Sequence, residues 1–255
     1  FQVADNLYYV GTEGLSSFLI TTPQGHILID GAMPSSAKDI EASITSLGFK
    51  PSDVKILLNS HAHFDHAGGL AQLKRDTGAK LAASAADRSA LETGTYPGSE
   101  DVKAFDFPPV KVDRVLNDGD QVILGGATLT AHITPGHSAG CTTWTFPVTV
   151  QGQKHEAVYY CSTSVAANRL VSKAKGPQYP GIVEDYRKAF AKLKTIKADV
   201  FLAPHGEQFG MEAKRAKLAP GAPSPFVDRG ELTRAIAQSE ADFEIQLAKQ
   251  QKAAK

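Results

Sequence analysis

Metal-binding side chains are concentrated in one short segment of the chain. Residues 59–69 read Asn-Ser-His-Ala-His-Phe-Asp-His-Ala-Gly-Gly and hold three of the chain's eight histidines. In an extended segment His61, His63 and Asp65 would point to the same side, because side chains alternate between faces. His66 would point elsewhere, so one loop can serve two neighbouring metal ions. Imidazole and carboxylate ligands without a thiolate suit a catalytic zinc site, although they also permit iron or manganese.

Two further histidines each follow a predicted strand. His137 comes after the strand-like residues 129–133, and His205 comes after the apolar residues 200–202. The first cluster has the same placement, because it follows a buried strand predicted over residues 54–58. This shared placement indicates that the six side chains converge on one site. The remaining histidines are expected to be ordinary polar residues of turns and strands: His26, His132 and His155.

The predicted elements fall into two halves, each of which ends in a helix, and no linker separates them. Strands are expected over residues 7–10, 15–21 and 26–30, within the stretch 110–160, and over 200–203; helices are expected after Pro34, over 68–77 and 182–196, and at the C-terminal end. This order fits a sheet-on-sheet core covered by helices on both outer faces. The pattern alone does not select that arrangement over other α/β layouts.

Composition and charge exclude several functional classes. The chain has 255 residues, of which 42% are hydrophobic and 21% charged, so it can bury a sizeable core. Its formal net charge is +0, and no long basic block occurs, so neither nucleic acid nor a membrane surface is an expected partner. The longest apolar stretches are too short to span a bilayer.

A strand-like pattern begins almost at once after Phe1, as expected of a mature chain whose leader has been removed.

Two matches to serine-enzyme motifs lack their required context. Residues 136–140 match the serine nucleophile elbow, which needs a helix directly after Ser138. Residues 141–148 are instead β-like. Ser35 and Lys38 match the S-x-x-K motif of serine β-lactamases, but the companion motifs are absent. Serine catalysis is therefore not expected.

The metal-binding motifs together resemble those of the metallo-β-lactamase superfamily. They are His-x-His-x-Asp-His, a later Pro-Gly-His, and Pro-His after an apolar strand, and the resemblance runs from about Leu7 to the C-terminal helix. It implies a four-layered αβ/βα sandwich that forms a single domain over residues 1–255, with the metals at the edge of the two sheets. It also implies two zinc ions, the first held by His61, His63 and His137 and the second by Asp65, His66 and His205.

The segment after the last predicted hairpin indicates a branch of this superfamily. Most of its hydrolases, including glyoxalase II and the metallo-lactonases, carry an aspartate there that bridges both metals. Residues 158–164 read Val-Tyr-Tyr-Cys-Ser-Thr-Ser and contain no aspartate. The pair Ser162 and Ser164 is similar to the third subclass of metallo-β-lactamases, in which the first serine does not bind metal directly. A register slip of one residue would instead make Cys161 a metal ligand, as in the first subclass.

The resemblance implies hydrolysis of the β-lactam amide bond, and hence antibiotic resistance, by a metal-bound hydroxide. Asp65 would orient the hydroxide, and Ser162 would act through the water around the zincs. We expect Ser164 to bind the substrate carboxylate and Asn168 to polarise the lactam carbonyl. Asp30, at the end of a strand, is expected to orient a ligand histidine. The alternatives are a hydrolase of thioesters or lactones with the same fold, which the missing aspartate disfavours, and a non-enzymatic metal-binding protein.

The resemblance further implies a periplasmic protein that acts on a small molecule, and we expect a monomer. In an oxidising compartment, Cys141 and Cys161 are expected to form a disulfide, because each lies near the metal edge of a strand. The alternatives are two buried thiols or Cys161 as a zinc ligand.

Overall fold

The computed structural model describes residues 1–254, which contain two β-sheets with helices against them. The first sheet has seven strands, whose order in the sheet follows the chain. These strands are β1 (Gln2–Ala4), β2 (Leu7–Tyr9), β3 (Phe18–Thr22), β4 (Gly25–Ile29), β5 (Val54–Leu58), β6 (Lys80–Ser84) and β7 (Arg114–Leu116). Strands β1 to β4 pair antiparallel, and β4 to β7 pair parallel.

The second sheet has five strands in the order β12-β11-β10-β9-β8. They are β8 (Gln121–Leu124), β9 (Ala127–Ile133), β10 (Thr142–Val150), β11 (Gln153–Tyr159) and β12 (Val200–Leu202). Strands β8 to β11 form antiparallel hairpins, and β12 joins β11 in parallel. The ends of β9, β11 and β12 and the start of β10 therefore meet at one edge of this sheet.

The helices lie between and after the strands. They are α1 (Ala37–Ser46), α2 (Phe64–Ala67), α3 (Leu70–Thr77), α4 (Arg88–Thr93), α5 (Ile182–Leu193), α6 (Met211–Arg215) and α7 (Glu231–Ala253), with 3₁₀ turns at Pro51–Asp53, Lys103–Phe105 and Gly206–Phe209. The pattern predicted α1, α3, α5 and α7 and missed the short helices α2, α4 and α6. These have six residues or fewer, too few to show a helical period.

Alternating side chains of the first sheet contribute to two separate cores. In β4, Ile27 and Ile29 pack between the sheets with Trp144 and Phe146 of β10. Leu28, which points the other way, packs with apolar residues of α1 and α3 on the outer face. This period of two is what a strand buried on both faces requires. The predicted αβ/βα sandwich is confirmed.

The two sheets are joined near the edge where the histidines lie. The backbone N–H of Thr142, at the start of β10, donates to the carbonyl of Ser60, just past β5, over 2.8 Å. The indole Nε1 of the buried Trp144 donates to the carbonyl of Asn59 over 3.4 Å. Backbone and core thus fix the histidine loop of one sheet to the strand ends of the other.

Candidate metal centre

Three of the six predicted ligands form a buried group. One ligand atom from each of His61, His63 and His137 lies within 4.8 Å of the others, and the ring centroids are 4.6 Å apart in every pair. The three residues are 1%, 6% and 8% exposed. Three imidazoles at this spacing can surround one metal ion.

Asp65, His66 and His205 form a second group that is partly open to solvent. The Nε2 atoms of His66 and His205 are 3.2 Å apart. One carboxylate oxygen of Asp65, Oδ2, lies 3.3 Å from the first of these nitrogens and 3.5 Å from the second. The two groups are neighbours, since the rings of His61 and His66 have centroids 4.4 Å apart. The residues are therefore arranged for two adjacent metal ions.

The segment that holds four of these residues is not extended throughout. His61 and His63 precede the helical part, and α2 begins directly after His63, whose backbone is still extended with φ −106° and ψ 152°. The N–H of Ala67 donates to the carbonyl of His63 over 2.7 Å. Asp65 is thus helical, so the expectation that it points with His61 and His63 is wrong. The helical turn carries it into the second group instead.

One buried ring nitrogen supports metal binding directly. His61 Nδ1 lies 3.0 Å from Ser60 Oγ, whereas its Nε2 is buried and has no hydrogen-bond partner among residues 1–254. A buried polar atom without a partner is costly, and a metal ion would satisfy it. Because the donors are nitrogen and oxygen atoms, the set fits zinc.

Burial keeps these histidines ready to act as ligands. Burial, together with the neighbouring imidazoles, lowers the pKa of His61 and of His63 well below the ordinary value. Burial also lowers the pKa of His137 to about 4. Burial opposes ionisation of Asp65, but the hydrogen bond with His66 and the surrounding imidazoles outweigh it and lower the pKa of Asp65. At neutral pH the imidazoles of His61, His63 and His137 are therefore neutral and the carboxylate of Asp65 is charged, as metal binding requires.

Asp30 is connected to the cluster through an intermediate residue. It is fully buried in the left-handed region, with φ 63°. Its carboxylate accepts bonds from Asn59 Nδ2 at 2.9 Å and Tyr159 Oη at 2.7 Å, and from the N–H and hydroxyl of Ser60 at 2.7 and 2.6 Å. Ser60 in turn lies against His61. Ser60 thus links Asp30 to His61, and no hydrogen bond joins Asp30 directly to a histidine in the described part of the chain.

Ser162 and Ser164 adjoin the first group but do not lie on a strand. Strand β11 ends at Tyr159, so both serines lie in the irregular segment that follows it. Their hydroxyl oxygens are nevertheless 3.3 Å apart, and Ser162 Oγ accepts the N–H of Ser164 at 3.2 Å. His137 Nδ1 donates to the carbonyl of Ser164 over 2.7 Å. Ser164 is exposed and Ser162 is buried, so only Ser164 presents a surface to a ligand.

Asn168 is 2% exposed, and both ends of its side-chain amide are bonded within the protein. Its Oδ1 accepts the hydroxyl of Tyr96 at 2.8 Å, and its Nδ2 donates to the carbonyl of His137 at 2.8 Å. The amide is therefore engaged in positioning the His137 loop and is not free to polarise a lactam carbonyl, as the sequence had suggested. Tyr96, which no sequence motif indicated, also stacks on the ring of His63 with centroids 4.1 Å apart.

A second buried carboxylate, Asp87, is indicated by no motif in the sequence. It lies in the turn between β6 and α4 and contacts both loops that carry the first group. No strand was predicted over residues 80–84, which form β6, so nothing in the sequence marked Asp87 as lying beyond a strand end.

The structure confirms a disulfide between Cys141 and Cys161, whose Cα atoms are 5.8 Å apart. Cys161 Sγ lies 3.6 Å from His61 Nδ1. Because disulfide sulfurs are not thiolates, the register slip that would make Cys161 a zinc ligand is excluded. The bridge instead fixes the start of β10 to the segment that follows β11, beside the first group.

Comparisons with known proteins agree with this geometry. The family profile described as "Metallo-beta-lactamase superfamily" matches residues 10–149. Among solved structures, BJP-1, a subclass B3 metallo-beta-lactamase of Bradyrhizobium japonicum, is 51% identical, with a TM-score of 0.97, and 100% of this chain and 96% of that chain are covered. FEZ-1 from Legionella gormanii is 42% identical, with a TM-score of 0.93 and coverage of 98% and 96%.

Two relatives with other activities match less of the chain. A hydroxyacylglutathione hydrolase of Rhodospirillum rubrum is 32% identical over 171 residues, which is 66% of this chain and 53% of that protein. The N-acyl homoserine lactonase AttM of Agrobacterium fabrum is 32% identical over 152 residues, covering 48% of this chain and 56% of the lactonase. The chain thus spans about half the length of these relatives.

Proposed function

Because the chain belongs to the metallo-beta-lactamase superfamily, we propose that it hydrolyses the amide bond of β-lactams with zinc as its metal. The observation that carries this proposal is the agreement over the whole chain with solved metallo-beta-lactamases. The hydroxyacylglutathione hydrolase and the lactonase match only part of it. The absence of an aspartate from residues 158–164 also counts against the thioester and lactone alternatives.

The two groups of side chains would hold two zinc ions. His61, His63 and His137 supply only neutral imidazoles to the first, whereas the second group adds the carboxylate of Asp65 to His66 and His205. When bound, zinc would lower the pKa of a bound water to near neutral. It would also act as a Lewis acid toward the lactam carbonyl or the departing nitrogen.

The protein's own groups would position the reactants. The carboxylate of Asp65 stays ionised at neutral pH, because its pKa is lowered, so it can accept a hydrogen bond from the attacking water and orient it. Water adds to the lactam carbonyl carbon, the C–N bond breaks, and the ring nitrogen takes up a proton. No covalent bond between enzyme and substrate is needed.

Ser164 is the residue we assign to substrate binding. Its hydroxyl is exposed and lies 3.3 Å from His137 Nδ1, at the wall of the first group. It can donate one hydrogen bond to the carboxylate that β-lactams carry beside the ring nitrogen. Ser162, buried beneath it, would hold this hydroxyl and the nearby water in place.

The setting of the protein is also part of the proposal. The disulfide suits an oxidising compartment such as the periplasm, since such bonds are rare in reducing ones. Within residues 1–254, no helix is both long and apolar enough to cross a membrane. We propose that the chain forms one domain, acts as a monomer on small-molecule β-lactams, and thereby confers antibiotic resistance.

A three-substrate assay tests the proposed activity. The zinc-loaded protein is offered a chromogenic cephalosporin, S-lactoylglutathione and an acyl-homoserine lactone at matched concentrations. Hydrolysis of the cephalosporin with the highest kcat/KM is the expected result. Turnover of the thioester or the lactone alone would overturn the proposal in favour of the corresponding hydrolase, and turnover of none would favour a metal-binding protein without this activity.

A further inference from the structure

Asp87 joins the two loops that carry the histidines of the first group. Its Oδ2 accepts the backbone N–H of Ala62 at 2.9 Å and the hydroxyl of Ser138 at 2.8 Å. Its Oδ1 accepts the backbone N–H of Gly140 at 2.9 Å. Ala62 lies between His61 and His63, and Ser138 directly follows His137, so one carboxylate bonds to both ligand-bearing segments.

The carboxylate of Asp87 bonds to these two loops and does not cap the helix that follows it. Asp87 occupies the position that precedes α4, where an aspartate ordinarily accepts a backbone N–H of the helix. Here the carboxylate makes no such bond. It is 3% exposed and forms no ion pair within residues 1–254. Burying a carboxylate without a cation is costly unless it is fully hydrogen-bonded, so the three bonds to the loops are what hold it there.

The fit around the carboxylate is tight. A Cβ atom on Gly140 would lie 2.1 Å from Ser84 Oγ and 2.6 Å from Asp87 Cγ. Only glycine at this position lets the loop after His137 approach the carboxylate closely enough for its N–H to donate. Gly140 and Asp87 therefore fit together: the glycine leaves the space that the carboxylate occupies.

The contacts of Asp87 are asymmetric between the two metal groups. All its bonds go to segments that carry His61, His63 and His137, and none goes to α2 or to the loop of His205. From this placement we propose that Asp87 is a positioning residue that fixes the three-histidine group for zinc before the metal arrives. The inference rests on the proposed zinc binding, and it predicts a selective effect on one of two metal groups.

Zinc affinities measured in single-group backgrounds test this selectivity. His205→Ala disables the second group and leaves the first, whereas His137→Ala does the reverse. Zn²⁺ is titrated against a chromogenic chelator, and folding is checked by circular dichroism. Adding Asp87→Asn to His205→Ala should weaken zinc binding about 10- to 100-fold, the usual effect of losing a partner that orients metal ligands. Adding it to His137→Ala should leave the affinity unchanged.

Two more variants complete the experiment. Ser138→Ala, which removes one of the three bonds, should give a smaller loss in the His205→Ala background and keeps the inference testable if Asp87→Asn folds poorly. Asp113→Asn is the matched control, because Asp113 also accepts a backbone N–H, that of Leu81 at 2.8 Å, on an exposed part of the same sheet. It should change neither affinity.

The outcomes separate the inference from its premise. Equal losses in both backgrounds would show that Asp87 only stabilises the fold, and no loss in either would show that the carboxylate is dispensable. Either result overturns the inference and leaves the proposed function intact. If the unmutated protein binds no zinc, the proposed function itself fails.

Discussion

Replacing Asp30 tests whether its carboxylate holds the histidine loop together. Asp30→Ala would leave four buried donors without their acceptor: two on Ser60, one on Asn59 and one on Tyr159. Each buried donor left unsatisfied costs about 1–3 kcal/mol. Alanine would also have to keep φ near 63°, at a further cost of about 1–2 kcal/mol. Together these losses reach at least about 5 kcal/mol, the lower end of a typical domain's total stability of about 5–15 kcal/mol.

Asp30→Asn shows how much of the loss comes from the missing hydrogen bonds, because it keeps a side chain of the same size. Asparagine tolerates the left-handed conformation, and its carbonyl oxygen can still accept from Asn59 and the Ser60 N–H. We expect a loss of about 1–3 kcal/mol, the cost of disturbing the remaining bonds. Urea unfolding of the zinc-free proteins, followed by circular dichroism, gives both free energies of unfolding.

The control for this pair is a carboxylate at the surface. Asp118→Ala removes a side chain that is 57% exposed and accepts the N–H of Ile133 at 2.9 Å. It should cost no more than about 1 kcal/mol. If Asp30→Ala were as stable as Asp30→Asn, or as stable as the Asp118 variant, the reasoning from unsatisfied donors would be refuted.

Three further predictions concern the serines, the disulfide and pH. Ser164→Ala should lower kcat/KM for several β-lactams about 10- to 100-fold, mainly through KM, because a hydrogen bond to a charged acceptor is worth about 1.5–3 kcal/mol. Ser162→Ala should act mainly on kcat, and unchanged steady-state kinetics in the Ser164 variant would show that the substrate carboxylate is held elsewhere. The double change of Cys141 and Cys161 to alanine should lower the free energy of unfolding by about 3 kcal/mol for a loop with a sequence separation of 20; an unshifted urea midpoint would contradict this. Because the pKa of His137 falls from 6.5 unfolded to about 4 folded, the zinc-free protein should lose stability as the pH falls from 6.5 towards 4, where the unfolded chain binds the extra proton. A urea midpoint that stays constant between pH 7 and pH 5 would contradict it.

The strand ends made much of the metal centre predictable from the sequence. His137 and His205 each follow an apolar strand, and these strands, β9 and β12, run in the same direction, so that their ends lie at one edge of the sheet. The apolar residues 200–202 likewise indicated a strand, which the structure forms as β12. These features are encoded locally, by residue type and spacing.

Other parts of the site depend on contacts between segments that are distant in the chain, so the residues around each position do not predict them. Asp87 bonds to Gly140, 53 residues away, and Tyr96 bonds to Asn168, 72 residues away. Asn168, expected to polarise the lactam carbonyl, is instead buried, and its amide bonds to residues distant in the chain. The helical turn that carries Asp65 is only four residues long, too short for any periodicity to reveal.

The most direct test of the central claim is the zinc dependence of β-lactam hydrolysis. The rate of hydrolysis of a chromogenic cephalosporin is measured before chelation, after exhaustive chelation with metal content confirmed by atomic absorption, and after Zn²⁺ is restored. The same series is run on Asp65→Asn. We expect chelation to abolish turnover, zinc to restore it, and Asp65→Asn to remain folded but strongly impaired even with zinc present. Full activity in the metal-free protein would contradict the account.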